Sequence, residues 1–485
     1  MTVPALQWNF DYVPSVADWQ AAFASAGPQI ATVAPLADAA TAVIGISSQY
    51  SPQDHVHPAA TIVIGLASAA LAIATGSTTA RTLAARFAER VDVKDFGATG
   101  NGWTDDTPAI KAAFAYAVAS AGSVYFPPGS YVISSTITAV PVSGLKIYGD
   151  NCLTTNLLPT SLTTDLFDLT SGSLTPIEIC GLSVEYSGTS IAGTIFNFPT
   201  NCGGLNFHDV ITNGGWNVLT LGGGTLSQSL YVDRCTFDNF LNNGLTIQIG
   251  SGGLLFVSRL IMNCSGANAN GIGINCTSGQ SITFDTIQMQ GMYTPFSFIA
   301  SSGNFITDCT FTNCYGDNAA RGRTAPGGDG WTIEAGGGPV RRFLLTNCWA
   351  GSNLGNGFTF VGVDEMMLSN CISIANQQGG FFFGANCTNF QMNNCSAVAN
   401  SYTNHGAYNG ISIIAPCANF VIQGCRCGVS SDFPVASQGY GIAIGAGSPS
   451  SNEYIVTANL LGGNSAAGLV NGGTGSFLVG NNLVT

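Results

Sequence analysis

Two pairs of carboxylates in this 485-residue chain have the type and spacing for acid–base work: Asp317 with Asp329, and Asp285 with Asp308. Cleaving a glycosidic bond needs two carboxyl groups flanking it, one protonated and one ionised. Asp317 and Asp329 share one irregular segment. Asp285 and Asp308 fall at matching places in neighbouring repeats, where stacked side chains stand about 5 Å apart and like charges split their pKa values. The plainer role for this second pair is that of ordinary turn residues. Four of the ten arginines, Arg321, Arg323, Arg341 and Arg342, surround the first pair, together with Glu334. A guanidinium holds an acidic sugar through two parallel hydrogen bonds, though these groups could equally pair with carboxylates across a loop. Downstream, Tyr402, His405 and Tyr408 add flat ring faces and an imidazole. Elimination from a uronate would need a base and a charge neutraliser, roles open to His405 and to Arg321 or Arg323.

A different chemistry is written into Asp54-His55-Val56-His57-Pro58. On an extended segment, side chains two apart point the same way. Two imidazoles do not complete a site. Three chains around an axis would supply six, an octahedral set suited to iron or another transition metal. The alternative is a polar turn before Pro58. No other cofactor is required.

The elements that position these residues are repeats. Phe343-Leu-Leu-Thr-Asn-Cys348 returns as Met366-Met-Leu-Ser-Asn-Cys371, as Phe390-Gln-Met-Asn-Asn-Cys395, and in worn form as Phe420-Val-Ile-Gln-Gly-Cys425. Each copy is followed by glycine and two apolar residues one apart: Gly357-Phe358-Thr-Phe360, Gly380-Phe381-Phe-Phe383, Gly410-Ile411-Ser-Ile413, Gly441-Ile442-Ala-Ile444. Cys348 to Cys371 is 23 residues and Cys371 to Cys395 is 24. A fixed period of this size means a solenoid. No stretch between the copies holds a helical pattern of a dozen residues, so the coils are short strands stacked in parallel. The strand pattern extends upstream through Trp331/Ile333, Phe296/Phe298, Ile272/Ile274, Leu245/Ile247 and Trp216/Val218. The turn column is expected to read Asn263-Cys264, Asp285-Thr286, Asp308-Cys309, then Asn347, Asn370 and Asn394 with their cysteines. Asn and Asp suit such turns because they tolerate left-handed backbone.

Coil length varies in one place. Measured at the strand glycine, 357 to 380 is 23 residues, but 380 to 410 is 30 and 410 to 441 is 31. The excess gives three insertions on one side: 315–329, 401–409 and 428–440. The short coils between the first two are expected to form a floor carrying Trp349, Asn353, Asn376, Gln377 and Gln378. Substrate contacts are therefore expected from Arg321, Arg323, Trp349, Asn376, Gln377, Tyr402, His405 and Tyr408.

Composition narrows the partners. Only 8% of residues are charged, 62 are glycine, and the net charge is −13 with three lysines, which argues against nucleic acid. The 15 cysteines fall mostly at repeat positions, a pattern a disulfide framework would not follow, so they read as free core thiols made in a reducing cytoplasm. The amino terminus lacks the features of a signal peptide. The apolar run 61–75 is shorter than the ~20 residues of a bilayer span, so no membrane insertion is expected. Residues 78–90 read as a short helix capped by Thr78 or Thr79.

Residues 91–134, VDVKDFGATGNGWTDDTPAIKAAFAYAVASAGSVYFPPGSYVIS, resemble the opening of the pectate-lyase-like β-helix superfamily, in particular the bacteriophage tailspikes built on it. The resemblance rests on Asp95-Phe96-Gly97-Ala98, a glycine turn, Thr104-Asp105-Asp106-Thr107, a helix, and Phe126-Pro127-Pro128-Gly129. It covers about 45 residues, is specific for fold, and fixes no catalytic residue. Asp105 and Asp106 read as helix caps, and Ile110, Phe114 and Ala117 share one face. The stretch 7–24, QWNFDYVPSVADWQAAFA, more loosely resembles a virion-attachment region.

The expected fold is all-β: a right-handed parallel β-helix over 145–485, an N-terminal cap over 91–144 with a short capping helix, and a separate attachment and trimerisation region over 1–90. The resemblance implies a homotrimeric tailspike or tail fibre subunit in the virion tail. It would meet other tail or baseplate proteins through 1–90 and host surface polysaccharide along the solenoid, with or without depolymerising it. Two alternatives remain: a binding or structural virion protein without cleavage, and a cellular carbohydrate-active enzyme of the same fold.

Overall fold

The structure is a computed structural model. It describes residues 71–485 except 73–75, 88, 121, 139–143, 162, 170–175, 199–203, 224–228, 266–270, 321–327, 448–449 and 485. His55, His57, Arg321 and Arg323 lie outside the described residues. The chain divides into two compact units, Met1–Arg86 and Phe87–Thr485. In the first, Leu71–Ala72 pairs antiparallel with Arg81–Thr82. The helix expected over 78–90 spans only Leu83–Phe87. Arg81 and Thr82 belong to the strand pair, and the Thr82 hydroxyl accepts from the Ala85 amide at 3.0 Å. The cap is thus Thr82, not Thr78 or Thr79.

The second unit is a parallel β-solenoid of about 13 turns. Each coil contributes a long strand that bends at a residue with positive φ. That column runs Gly181, Asp209, Arg234, Arg259, Thr286, Asn313, Asn347, Asn370, Asn394, Gly424, Ala458 and Asn481. A separate strand closes the coil, running through Phe167, Phe196, Leu219, Leu245, Ile274, Phe296, Trp331, Phe358, Phe381, Ile411 and Ile442. The period read in the C-terminal half continues upstream, with two register changes. Ile274 rather than Ile272 stacks on Phe296, and Leu219 rather than Trp216 on Leu245.

Inward residues form ladders. Phe296 and Trp331 rings stack at 3.6 Å, and Phe358 and Phe381 at 4.8 Å. Phe390, Phe420, Tyr454 and Phe477 stack in sequence at 4.9, 4.7 and 5.2 Å. Cys314, Cys348, Cys371, Cys395 and Cys425 follow the bend column and are buried. Every described cysteine is a free thiol, as the period required.

At the amino end of the solenoid, helix Thr107–Ser120 buries Ile110, Ala113, Phe114 and Ala117. Phe114 meets Phe126 and Phe167 at 6.5 and 5.9 Å. The Asp105 carboxylate accepts from the Thr107 amide (3.0 Å) and the Ser134 hydroxyl (2.7 Å). Asp106, 2% exposed, accepts from the amides of Thr99 and Gly100, holding the glycine turn. Both carboxylates are structural.

Candidate functional site

Three insertions leave the solenoid at one corner, between the short strands Tyr315–Asp317, Ser396–Val398 and Arg426–Gly428 and the strands that close their coils, Trp331–Glu334, Ile411–Ile413 and Tyr440–Ile444. In the two short coils the same corner is a tight turn held by a buried amide ladder. Asn353 donates through its amide and Nδ2 to Asn376 Oδ1 at 3.0 and 2.8 Å. Asn376 donates likewise to Asn400 Oδ1 at 3.3 and 2.8 Å, and Asn400 to Gln438 Oε1. Asn353, Asn376 and Asn400 are fully buried. Asn376, expected to touch substrate, is therefore an internal strut, and so is Asn353. Gln377 and Gln378 are half-buried and keep the outer side of this floor.

Beside the corner, alternation along the short strands turns Gly316, Ala350 and Ser373 inward and Tyr315, Trp349 and Ile372 outward, one above the other. Asp317 is the next outward residue, in register with Gly351. A Cβ on Gly351 would stand 2.6 Å from Trp349 Nε1 and 3.2 Å from Asp317 Oδ1. The missing side chain thus leaves a space that an indole N–H and a carboxylate both border. The Asp317 carboxylate accepts from the Asn318 amide and Nδ2 at 2.9 and 3.0 Å. Asp329, at the far end of the same insertion, accepts from the Asn356 amide (2.7 Å) and the Thr359 hydroxyl (2.6 Å) of the next coil. Burial lifts its pKa above the ordinary carboxylate value against the pull of those two donors.

The second and third insertions meet. Gly406 donates to the Ser437 carbonyl at 2.6 Å, Gly439 to the Tyr408 carbonyl at 2.7 Å, and Tyr402 packs edge-on to Phe433 at 5.4 Å. Between them lies a cavity of about 400 Å³ lined by Tyr402, His405, Asp432, Phe433, Pro434, Val435 and Ser437. The sequence reading found Tyr402 and His405 and missed Asp432 and Phe433, because the third insertion was read as wall without naming its contents.

Asp285 and Asp308 do not stack. Asp285 pairs in register with Thr312, while Asp308 belongs to a second positive-φ column, Ser281, Asp308, Arg342, Glu365, Asn389, Asn419 and Glu453. Asp285 stands one residue before the first bend, at Thr286, so a residue beside one bend had been matched to a residue on the other. Asp308 is gripped by Arg342 through Nε at 2.5 Å and Nη2 at 3.0 Å, which draws its pKa down to about 2. Arg342 is thus tied along the solenoid rather than facing the insertions.

A further cluster escaped the sequence reading. Cys180 pairs in register with His208, and Glu178 reaches both. His208 Nε2 is 3.2 Å and Lys146 Nζ 2.9 Å from Glu178 Oε1, and Cys180 Sγ is 3.6 Å away. Asp209 takes the other ring nitrogen at 2.7 Å and is itself held by Arg234. Burial opposes ionisation of Glu178, yet the hydrogen bonds from Lys146 and His208 hold its pKa below the ordinary value. Carrying the coil period upstream of residue 216 would have placed His208 over Cys180.

Residues 90–319 match the family described as Rhamnogalacturonase A/epimerase, pectate lyase-like. Among solved structures, the chain is similar to tailspike protein 3 of Bacteriophage CBA120, with 14% identity and a TM-score of 0.56 over 86% of this chain and 65% of that one. The N-terminal fragment of gene product 12 of Bacteriophage Phi29 gives 14%, 0.54, 80% and 68%. The mannuronan C-5 epimerase AlgE6 A-module of Azotobacter vinelandii gives 14%, 0.52, 81% and 98%. No curated protein matches the sequence. What these matches share with the chain is the fold, a parallel β-solenoid found alike in a phage tailspike, a second phage protein and an epimerase module. No helix among the described residues is long and apolar enough to cross a membrane.

Proposed function

We propose that this chain is a subunit of a phage tail spike or fibre that recognises host surface polysaccharide along its insertion-bearing corner. The cavity that Tyr402, His405, Asp432 and Phe433 line carries the reading. A sugar ring needs a flat apolar face and hydrogen-bonding groups beside it, and this cavity offers both on a walled surface. Tyr315, Trp349 and Asp317 repeat that combination along the same corner. Arg321, Arg323, Tyr408 and Gln377 complete the proposed binding set. Residues 1–90 serve for attachment to other tail proteins, with His55 and His57 on a trimer axis able to hold an iron-like ion. The test is binding of the purified protein to host-cell polysaccharide. Tyr402→Ala and Trp349→Ala are expected to weaken binding about tenfold each, since a stacked ring contributes on the order of 1–2 kcal/mol. Unchanged affinity in both would sink the reading.

Depolymerisation by the same corner is a second reading, favoured by the contrast between Asp329, which burial pushes toward its protonated form, and outward-facing Asp317. Two carboxyls in unlike environments are what acid–base cleavage needs. Hydrolysis would release reducing ends, and elimination would add absorbance from unsaturated uronate and bring in His405 with Arg321 or Arg323. Asp317→Asn, which keeps a hydrogen-bonding group at that place, should abolish product while costing far less in binding than Tyr402→Ala or Trp349→Ala. Binding without any product, under conditions where the polymer is intact, would leave a receptor-binding spike.

A further inference from the structure

We propose that Glu178, Cys180 and His208 form a binding site for a divalent transition cation of the zinc class, on the outer surface of the solenoid and independent of the polysaccharide corner. The ligand atoms of the three residues lie within 4.8 Å of one another. Tetrahedral zinc takes sulfur at about 2.3 Å and nitrogen or oxygen at about 2.0–2.2 Å, which sets neighbouring ligand atoms about 3.4–3.6 Å apart. Here the sulfur and Glu178 Oε1 are 3.6 Å apart, and His208 Nε2 and that oxygen 3.2 Å. Both separations to Glu178 suit ligands around a shared ion, and the sulfur and nitrogen lie within 4.8 Å of each other.

The imidazole is oriented for it. Asp209 Oδ2 stands 2.7 Å and Arg234 Nη2 3.3 Å from His208 Nδ1, which anchors that side of the ring and turns Nε2 toward Glu178. A lone pair facing a carboxylate oxygen at 3.2 Å is repulsive unless a proton or a cation lies between them. A carboxylate behind a ligating histidine is the usual outer partner of a metal site, and Asp209 is in turn fixed by Arg234 Nε and Nη2 at 2.7 and 2.6 Å. Sulfur with nitrogen and one carboxylate is a zinc-like donor set, unlike the all-oxygen shell that calcium or magnesium takes. Three protein ligands leave a fourth position for water. An opening of about 520 Å³, lined by Glu178 with Leu145, Asn206 and Tyr231, lies beside the cluster.

Lys146 is the competitor. Its ammonium sits 2.9 Å from the same Glu178 oxygen, and the metal takes its place. Cys180 enters as thiolate, and its proton passes to the buffer.

Cobalt(II) reports this geometry, since a tetrahedral thiolate-ligated ion absorbs strongly in the visible and shows a sulfur-to-cobalt charge-transfer band. The full-length chain, stripped with chelator, is titrated with cobalt(II). One ion per chain with both signatures is expected in a His55→Ala/His57→Ala background. Cys180→Ser should remove the charge-transfer band, and His208→Ala should weaken binding at least tenfold. Asp209→Asn should weaken it about tenfold. Lys146→Met should tighten it, a gain that misfolding cannot produce. Absence of the charge-transfer band in the parent, cobalt binding indifferent to Cys180→Ser and His208→Ala, or no tightening in Lys146→Met would each overturn the proposal.

Discussion

Asn376 accepts two hydrogen bonds from Asn353 and donates to Asn400 with no access to water. Truncation to alanine would leave the Asn353 amide without its side-chain acceptor and remove one partner each from Asn353 Nδ2, the Ala350 carbonyl and Asn400 Oδ1. A buried polar group left unpaired costs about 1–3 kcal/mol, so Asn376→Ala should destabilise the solenoid by about 2–3 kcal/mol in chemical denaturation. Gln377→Ala, one position away on the outer side, should cost within about 0.5 kcal/mol. Equal losses in the two variants would contradict the ladder. Asp308 is a surface counterpart. Its pKa falls from 3.8 unfolded to about 2 folded because Arg342 grips it. A depressed carboxyl contributes stability that is complete above 3.8 and is lost as pH drops through 2. Asp308→Asn should therefore flatten that part of the acid unfolding curve, and most clearly at low salt, because the pair is partly exposed.

The strand glycines show how an element is specified. A Cβ at Gly380 would meet the Gly410 carbonyl at 2.5 Å, one at Gly410 the Gly441 carbonyl at 2.7 Å, and one at Gly441 the Gly468 carbonyl at 2.7 Å. The backbone of each coil approaches the next too closely for any side chain. Gly380→Ala should thus cost about 1–3 kcal/mol, the range for forcing a methyl into packed structure, while Gly303→Ala meets no neighbour and tests only its left-handed φ. Because this constraint is steric and recurs in the coils from Gly330 to Gly441, it writes itself into the sequence there, and the C-terminal period, the corner and its three insertions were all legible. Other features were not. Asn353 and Asn376 inside the turn are the same letter as Asn347 and Asn370 on the bend, and no local pattern separates an inward amide from an outward one. Asp285 and Asp308 were merged because each coil bends twice, and Asp285 stands one residue before the bend at Thr286 while Asp308 stands on the other bend. The Glu178, Cys180 and His208 cluster is assembled across coils where the glycine signature has faded, so only the register brings it together.

At the scale of the whole molecule, one outward column carries an apolar stripe, broken by Gln391, down the C-terminal half: Leu344, Met367, Gln391, Val421, Ile455 and Leu478 lie in register on successive coils. Leu344, Met367, Ile455 and Leu478 are 37, 40, 40 and 57% exposed. Farther up the same column, Tyr231 and Phe256 stack on the surface at 5.3 Å. A line of exposed apolar side chains parallel to the solenoid axis is costly in water and suits burial against another protein. Parallel rods related by a three-fold axis would each present this line to the same centre, so the proposed homotrimer has a surface that it would bury. Lengthwise contact also spreads the gain over many coils, so one change should do little and two should do much. The double variant Met367→Glu/Ile455→Glu places like charges from three chains around one axis, where repulsion adds to lost burial. Analytical ultracentrifugation is expected to show a trimer for the parent chain and a monomer for the double variant, with the circular dichroism of the strands unchanged. Leu344→Val should remain trimeric. A parent chain that sediments as a monomer at micromolar concentration would remove the trimer, and with it the six-imidazole site expected from His55 and His57, while leaving the Cys180 and His208 site untouched.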